Sequence, residues 1–315
     1  MAQPTNTFSS YDAKGNREDL SDIIYDVSPA ETPFLSALEK TTATSTKHEW
    51  QTDSLASADV DNIVIEGDDA TTDSSSATTR VYNYTQISDK VARVTGTQEK
   101  VKKAGRRSEM AYQMSKRMKE LKRDVETRLL CNQAWVAGND TLGRECAGAQ
   151  AWIKTNISKA SNGTAAAGDG SDAYTDGTAR ALSETFVEAS LSSAWTEGAN
   201  PTMGILNAFQ KRKFATFSGS STKTSDAEKK KVVNSVDIYI DPLGNEVRLV
   251  PCRQAQADVI FFFDMEHVKF ATLRDFHTVE LAKTGDSERK QIIVEYTMEM
   301  CNEKAHAGVY DLTTS

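Results

Sequence analysis

Residues 291 to 312 read QIIVEYTMEMCNEKAHAGVYDL and place three glutamates, a cysteine and a histidine within the twelve positions from Glu295 to His306. Carboxylates, a thiol and an imidazole are what a hydrolase uses as acid, base and nucleophile, and what a metal site uses as ligands. The spacing argues against both. Ile292, Val294, Tyr296, Met298 and Met300 alternate with Ile293, Glu295, Thr297, Glu299 and Cys301, the period-two pattern of a half-buried strand. Glu295 and Glu299 are expected together on its wetter face. His306 falls beyond the strand with no partner at ligand spacing. The stretch reads as structure, not as an active site.

The remaining reactive side chains point the same way. His48, His267 and His277 form no HExxH, HxH or Cys/His zinc spacing. There is no GxSxG, Walker A or GxGxxG motif. Cys131, Cys146, Cys252 and Cys301 are scattered without a CxxC pair, as reduced thiols are. Asp169, Asp172 and Asp176 lack the acid order of an EF-hand and are expected in a solvated loop. No residue is assigned to catalysis, to a cofactor or to a metal, so the chain is not expected to be an enzyme.

Charge gives a different lead. The net charge is −8 and the pI near 5.2, the reverse of a protein built to hold phosphates, so only weak non-specific contact with DNA is expected. Against that background Lys100, Lys102, Lys103, Arg106 and Arg107 put five cations into eight residues. They precede a helix whose N-terminal dipole disfavours cations. Asp59, Asp61, Glu66, Asp68, Asp69 and Asp73 lie in a tract with no Lys or Arg from 59 to 79. An acidic finger and a basic cluster on one chain can be complementary between copies. The contact expected on this basis pairs Glu66, Asp68 and Asp69 with the five cations.

The elements that carry these groups are an α+β set. With 315 residues the chain exceeds one ordinary core, so two lobes are expected. No run approaches the roughly 18 apolar residues of a membrane span. The first twenty residues show no secretory signal, which places the protein initially in a cytoplasm. Residues 1 to about 45 read as an arm with PFLSAL opening a short helix at Pro33. KHEWQTD and TTRVYNYTQISDKVARVTGT read as strands of a long hairpin around a Ser/Thr/Asp-rich tract. From Arg106 to about Trp135 the positions Met110, Met114, Met118, Leu121, Val125 and Leu129 step by three or four. This predicts a helix of roughly 45 Å, stopped by Gly138, with i,i+4 pairs Lys116/Glu120, Lys122/Glu126 and Asp124/Arg128 on its polar face. Residues 139 to 180 read largely as loop. TARALSETFVEASLSSAWTEG and MGILNAFQKRKFATF are predicted helices, and the remainder is strand-rich, with a hairpin turning at DPLGN.

YDVSPAETPFLSAL, HEWQTDSLA, IEGDDA, YNYTQI, the segment GTQEKVKKAGRRSEMAYQMSKRMKELKRDVETRLL, and LAKTGDSERKQIIVEYTMEMCNEKAHAGVYDL, in this order, resemble tailed-bacteriophage major capsid (head) proteins of the Hong Kong 97-like, or Johnson, fold. The resemblance spans nearly the whole chain and is weakest at 156–180 and 218–230. It implies an N-terminal arm at 1–45, an extended loop at 46–95 that lies across a neighbouring subunit, and a peripheral domain with its spine helix at 96–139. An axial domain would follow at 140–265, and 266–315 would return to the peripheral domain and end in a C-terminal tail. It further implies hexamers and pentamers of the chain itself, tiling an icosahedral head around double-stranded DNA. Partners would be a portal and a possible decoration protein, with location in the virion after assembly in host cytoplasm. Some members carry a scaffolding region ahead of the arm. Here the arm starts near Met1, so a separate scaffolding protein is expected. Some members cross-link through a lysine of the extended loop, but 54–79 contains none, so shell stability should be non-covalent or come from decoration. An encapsulin-type compartment shell, or another phage structural protein such as a tail tube or fibre, is the alternative.

Overall fold

Ser108 opens the longest helix. Its hydroxyl accepts the Ala111 N–H at 3.2 Å, and α3 (Glu109–Leu129) runs 21 residues from this cap, about 32 Å. In this computed structural model, which describes residues 31–67, 69, 75–217 and 237–314, the helix is shorter at both ends than its periodicity predicts. Gly105 at φ 71° separates it from the short helix α2 (Gly96–Lys100). At the other end Asn132 and Trp135 are drawn off by hydrogen bonds to Tyr174 and Gly170. Gly138, at φ 71°, makes a tight turn in the next loop and does not cap the helix. The apolar stripe is buried as its spacing requires, with Leu121, Val125 and Leu129 fully inside.

The polar face of α3 pairs differently from the i,i+4 expectation. Asp124 reaches Lys90, Arg128 reaches Glu145, and Glu120 takes Arg117. Glu126 is fully buried and accepts the N–H groups of Phe34 at 2.9 Å and Leu35 at 2.7 Å. These are orphan donors at the start of α1 (Pro33–Ala37), so a glutamate of the long helix caps the helix that ends the arm. Burial raises its carboxyl above the usual range against the pull of those N–H groups.

A four-stranded sheet packs on α3 in the order β1 (Glu39–Thr42), β10 (Val268–Leu281), β11 (Ser287–Met300) and β4 (Gln86–Thr95), with β1 parallel and the rest antiparallel. HVKFATLRD and HTVELAK, expected as separate strands, form one strand whose register shifts between Thr272 and His277, the extra residues absorbed as a bulge. Because β4 is built into this sheet, the hairpin proper is β2 (Lys47–Thr52) paired with β3 (Thr79–Tyr84), shorter than the expected 46–95.

The second sheet has six strands in the order β5 (Ile157–Ser158), β12 (Ala307–Val309), β9 (Ile260–Phe263), β6 (Met203–Leu206), β8 (Glu246–Pro251) and β7 (Ile238–Ile240). Val187 and Leu191 of α5 (Glu184–Thr196) and Phe214 of α6 (Ala208–Phe214) form a buried cluster with Tyr239, Leu249 and Phe262 of this sheet. MGIL is therefore strand, and helix begins only after Asn207, whose side chain accepts the Phe209 N–H. The expected return of 266–315 to one lobe also divides. β10 and β11 lie beside α3, whereas β12 pairs with β9 and β5 in the six-stranded sheet. Gly308 allows this, since a Cβ there would sit 2.6 Å from the Tyr310 ring.

The 139–180 stretch is pinned, not free. The short helix α4 (Ala149–Trp152) is entirely buried. Asp311, at φ 59°, holds the neighbouring loop by accepting from the Ala160 N–H, the Tyr174 hydroxyl and the Gly177 N–H. Asp169 and Asp172 accept N–H groups of Ser171 and Ala167 within that loop. One continuous core joins the lobes, with Phe34 stacked 4.6 Å from Phe263 and both buried beside Leu121 and Val294. Residues 1–30 of the expected arm, Asp68, and VVNSV before β7 lie outside the described residues.

Candidate assembly interface

The carboxylates, thiol and imidazole of the C-terminal stretch are each committed to a structural contact. Glu295 is buried, not on a wet face, because residues far away in sequence cover that side of β11. Its Oε1 accepts from the Arg144 guanidinium at 2.6 Å and the Thr85 hydroxyl at 3.1 Å, and its Oε2 accepts from Arg274 at 2.7 Å. Burial works to raise this carboxyl, but the two guanidiniums and the hydroxyl outweigh it and leave it below the usual range. Glu299 pairs with His48 at 2.9 Å, and that bond holds it below the usual range against its burial. Glu303 accepts the N–H groups of Lys154 and Thr155. His306 is fully buried. Its Nδ1 accepts the Asp264 N–H and its Nε2 donates to the His267 carbonyl, both at 3.3 Å, a neutral tautomer matched to its surroundings. Burial lowers it to about 4. The Cys301 thiol is pushed up to about 11 by burial beside Glu299. Among the described residues no three His, Cys, Asp or Glu side chains gather where they could share a metal ion.

What projects from the body is the β2–β3 hairpin. Its base is held firmly. Asn83 is buried, donates to the Met298 carbonyl and accepts the Ala147 N–H. Trp50 lies 5.4 Å from Trp152, and Tyr82 and Tyr84 flank Trp135. Beyond Thr52 the support ends. Residues 53–67 are all exposed, and they include Leu55, Val60, Ile63, Val64 and Ile65, each between 71% and 99% accessible. Scattered exposed apolar residues need no explanation, but five on one projection, uncovered among the described residues, form the kind of patch that interaction surfaces use. The sequence reading caught the acid of this tract, with Asp59, Asp61 and Glu66 exposed as expected, and missed the apolar run NIVIE inside it.

The basic cluster divides. Lys103 is nearly buried beside Glu99 and donates to its carbonyl at 2.8 Å, and Arg106 pairs with Glu109. Glu99 also accepts the N–H groups of Glu109 and Met110, so two carboxylates offset the cations at the start of α3. Lys100, Lys102 and Arg107 are exposed and make no ion pair among the described residues. Glu66 likewise makes none among them, so no intrachain ion pair joins it to the cluster.

Residues 3–313 match the family model described as SU10 major capsid protein. The major capsid protein of Escherichia phage Phieco32 is 29% identical over 94% of this chain and 94% of its own length. Among solved structures, the capsid asymmetric unit of cyanophage A-1(L) superposes with a TM-score of 0.66 at 10% identity, covering 98% of this chain and 99% of that one. The holo-SrpI encapsulin complex from Synechococcus elongatus PCC 7942 gives 0.57 at 10% identity, over 95% and 93%.

Proposed function

Because this chain belongs to the SU10 major capsid protein family and has the Hong Kong 97-like fold of a tailed-phage major capsid protein, we propose that its copies close into an icosahedral head around double-stranded DNA. The observation that carries the reading is the projecting hairpin, whose exposed apolar side chains are covered by nothing among the described residues. A second copy supplies the cover, and a repeated heterologous contact of this kind builds rings and lattices. The role is structural and not catalytic, in keeping with carboxylates, thiol and imidazole that are each engaged in holding the fold.

In this reading residues 1–45 are the arm and 46–85 the extended loop. α3 with β4, β10 and β11 is the peripheral domain, along whose edge β1 of the arm pairs, and the six-stranded sheet with α5 and α6 is the axial domain. The acidic tip at Glu66, Asp68 and Asp69 of one copy meets Lys100, Lys102 and Arg107 of another, while Lys103 and Arg106 are neutralised at home. Assembly takes place in host cytoplasm with a separate scaffolding protein and a portal, and a decoration protein reinforces the finished shell. Contact with the packaged DNA is weak and non-specific, consistent with a net charge of −8.

The encapsulin-type compartment remains the second reading, since that fold is shared. Family membership and the Phieco32 relative favour the phage head. Electron microscopy of the purified protein, alone and with a co-expressed scaffold, tests the proposal. Closed shells, sheets or sixfold capsomers support it. A small discrete oligomer under every condition refutes it, and shells that recruit a cargo enzyme in place of a scaffold and portal select the compartment.

A further inference from the structure

The hairpin meets the body through few contacts, and one of them can change its charge. Two short connections join it to the rest of the chain, residues 43–46 on one side and Thr85 on the other. The Thr85 N–H bridges them by donating to the Thr46 carbonyl at 2.8 Å. Along β2 the half-buried His48, Trp50 and Thr52 alternate with the exposed Glu49 and Gln51. Trp50 packs on Trp152, and Asn83, directly opposite His48 on β3, donates to the Met298 carbonyl. His48 itself reaches Glu299 near the end of β11, with Nε2 at 2.9 Å from Oε2. The two side chains are 15% and 16% exposed, so solvent screens this pair less than a surface pair.

The strength of the pair depends on the charge of the imidazole. On β11 the Cys301 thiol donates to the other oxygen of Glu299 at 3.6 Å and stays neutral, since burial pushes it up to about 11. On β10 Lys269 stabilises the Glu299 charge, and Glu39 of β1 holds that lysine at 3.3 Å. On β2 itself Lys47 and Glu49 pair with each other at 2.6 Å. Asn83 of β3 and Trp152 of α4 carry no charge. Glu39, Lys269 and Glu299 thus set two negative charges against one positive, and a proton on His48 brings the group into balance. Histidine is the side chain of this set whose charge changes between pH 5 and 8. An ionised donor on a carboxylate makes roughly twice the hydrogen bond of a neutral one, and the Trp50 ring, 5.8 Å from the imidazole, also attracts a cation.

We propose that His48 and Glu299 are a pH-sensitive latch on the hairpin base, closed while the imidazole carries its proton and loosened when the proton leaves. The other ties, Asn83 to Met298 and Ala147 and the paired tryptophans, carry no titratable group. They keep the hairpin attached throughout, so the latch sets its freedom of angle. Thr52 lies roughly 14 Å from His48 along β2, and a small change of angle at the base grows toward the exposed tip. The latch is a property of one subunit, and its consequence for assembly rests on the shell reading. Mildly acid conditions fix the angle at which the hairpin is offered to another copy, and mildly alkaline conditions let that angle vary.

Hydrogen exchange on unassembled full-length subunits tests this, comparing wild type with His48→Gln at pH 5.5 and at pH 8.0. The glutamine amide donates to Glu299 as a neutral imidazole does but cannot take up a proton. Segments 44–52 and 79–86 report on the hairpin base. At pH 8.0 the two proteins should protect these amides alike, and at pH 5.5 the wild type should protect them about fivefold better. His277→Gln, which removes an exposed histidine of β10, should follow the wild type at both values. Should His48→Gln fail to fold, Glu299→Gln carries the same comparison. A ratio of wild type to variant that is the same at pH 5.5 and 8.0 overturns the latch, as does a His277→Gln that loses the response. Wild-type protein that forms no particles with any scaffold would overturn the shell reading and leave the latch standing.

Discussion

Replacing Glu295 by Gln should destabilise the subunit by about 2 kcal/mol. The substitution keeps the shape and an acceptor for Thr85 but leaves two guanidiniums facing a neutral amide in a buried site. Removing one partner of a fully buried ion pair costs about 3–5 kcal/mol. Here the side chains of Arg274 and Arg144 are 47% and 29% exposed, so water recovers part of that loss, which brings the figure to ~2 kcal/mol. For a chain of this size that corresponds to a fall in Tm of about 3 °C. Scanning fluorimetry on unassembled subunits measures it. A cycle with Arg144→Gln should show coupling of at least ~1 kcal/mol, because the two side chains are in direct contact. The pH dependence has a fixed sign. The folded carboxyl lies below its ordinary value, so the stabilisation is complete above about pH 4.3 and is lost as the pH falls through the folded value. An unchanged Tm in Glu295→Gln, or strict additivity with Arg144→Gln, would show that the buried carboxylate does not tie Arg144, Thr85 and Arg274 together as argued.

Three further outcomes are expected. His306 is held neutral, at about 4 against an ordinary 6.5. It therefore contributes stability that is complete above pH 6.5 and declines toward pH 4, to a total of ~3 kcal/mol; His306→Gln should flatten the acid limb of a stability–pH curve by close to one proton. Gly148→Ala should cost about 3 kcal/mol or more, because the added Cβ would stand 2.2 Å from the Cys131 carbonyl oxygen and 2.8 Å from its sulfur, and denaturant unfolding would detect it. Lys100→Glu combined with Lys102→Glu should leave the circular dichroism of the subunit unchanged yet block assembly. Each exposed pair is worth only about 0–1 kcal/mol, but a lattice repeats it. Glu66→Lys with Asp69→Lys should partly restore particles, and no rescue by light scattering would refute that pairing.

The sequence made legible what local periodicity controls. The apolar face of β11 is buried as its alternation requires, though Glu295 and Thr297 of the other face are buried too, the buried stripe of α3 falls on the predicted positions, and Pro33 opens α1. What it could not convey is who covers a face. Glu295 reads as solvent-facing because its strand neighbours do not tell that Arg144 and Thr85, 151 and 210 positions away, close over it. Glu126 reads as one member of a surface pair because the donors that bury it belong to Phe34 and Leu35, 92 and 91 residues earlier. The helix ends slipped for a related reason: Asn132 and Trp135 continue the pattern, but long-range hydrogen bonds to the 170–174 loop claim them. The hairpin tip inverts the problem. Its Leu, Val and Ile look like core by type, and the acid around them looks like ordinary loop. Only when no element among the described residues is found against Ile63 or Val64 does the run become readable as half of a contact. For a protein whose cover comes from other copies of itself, burial within one chain is an incomplete measure of the core. The residues that look misplaced in the isolated subunit are then the ones that specify the assembly.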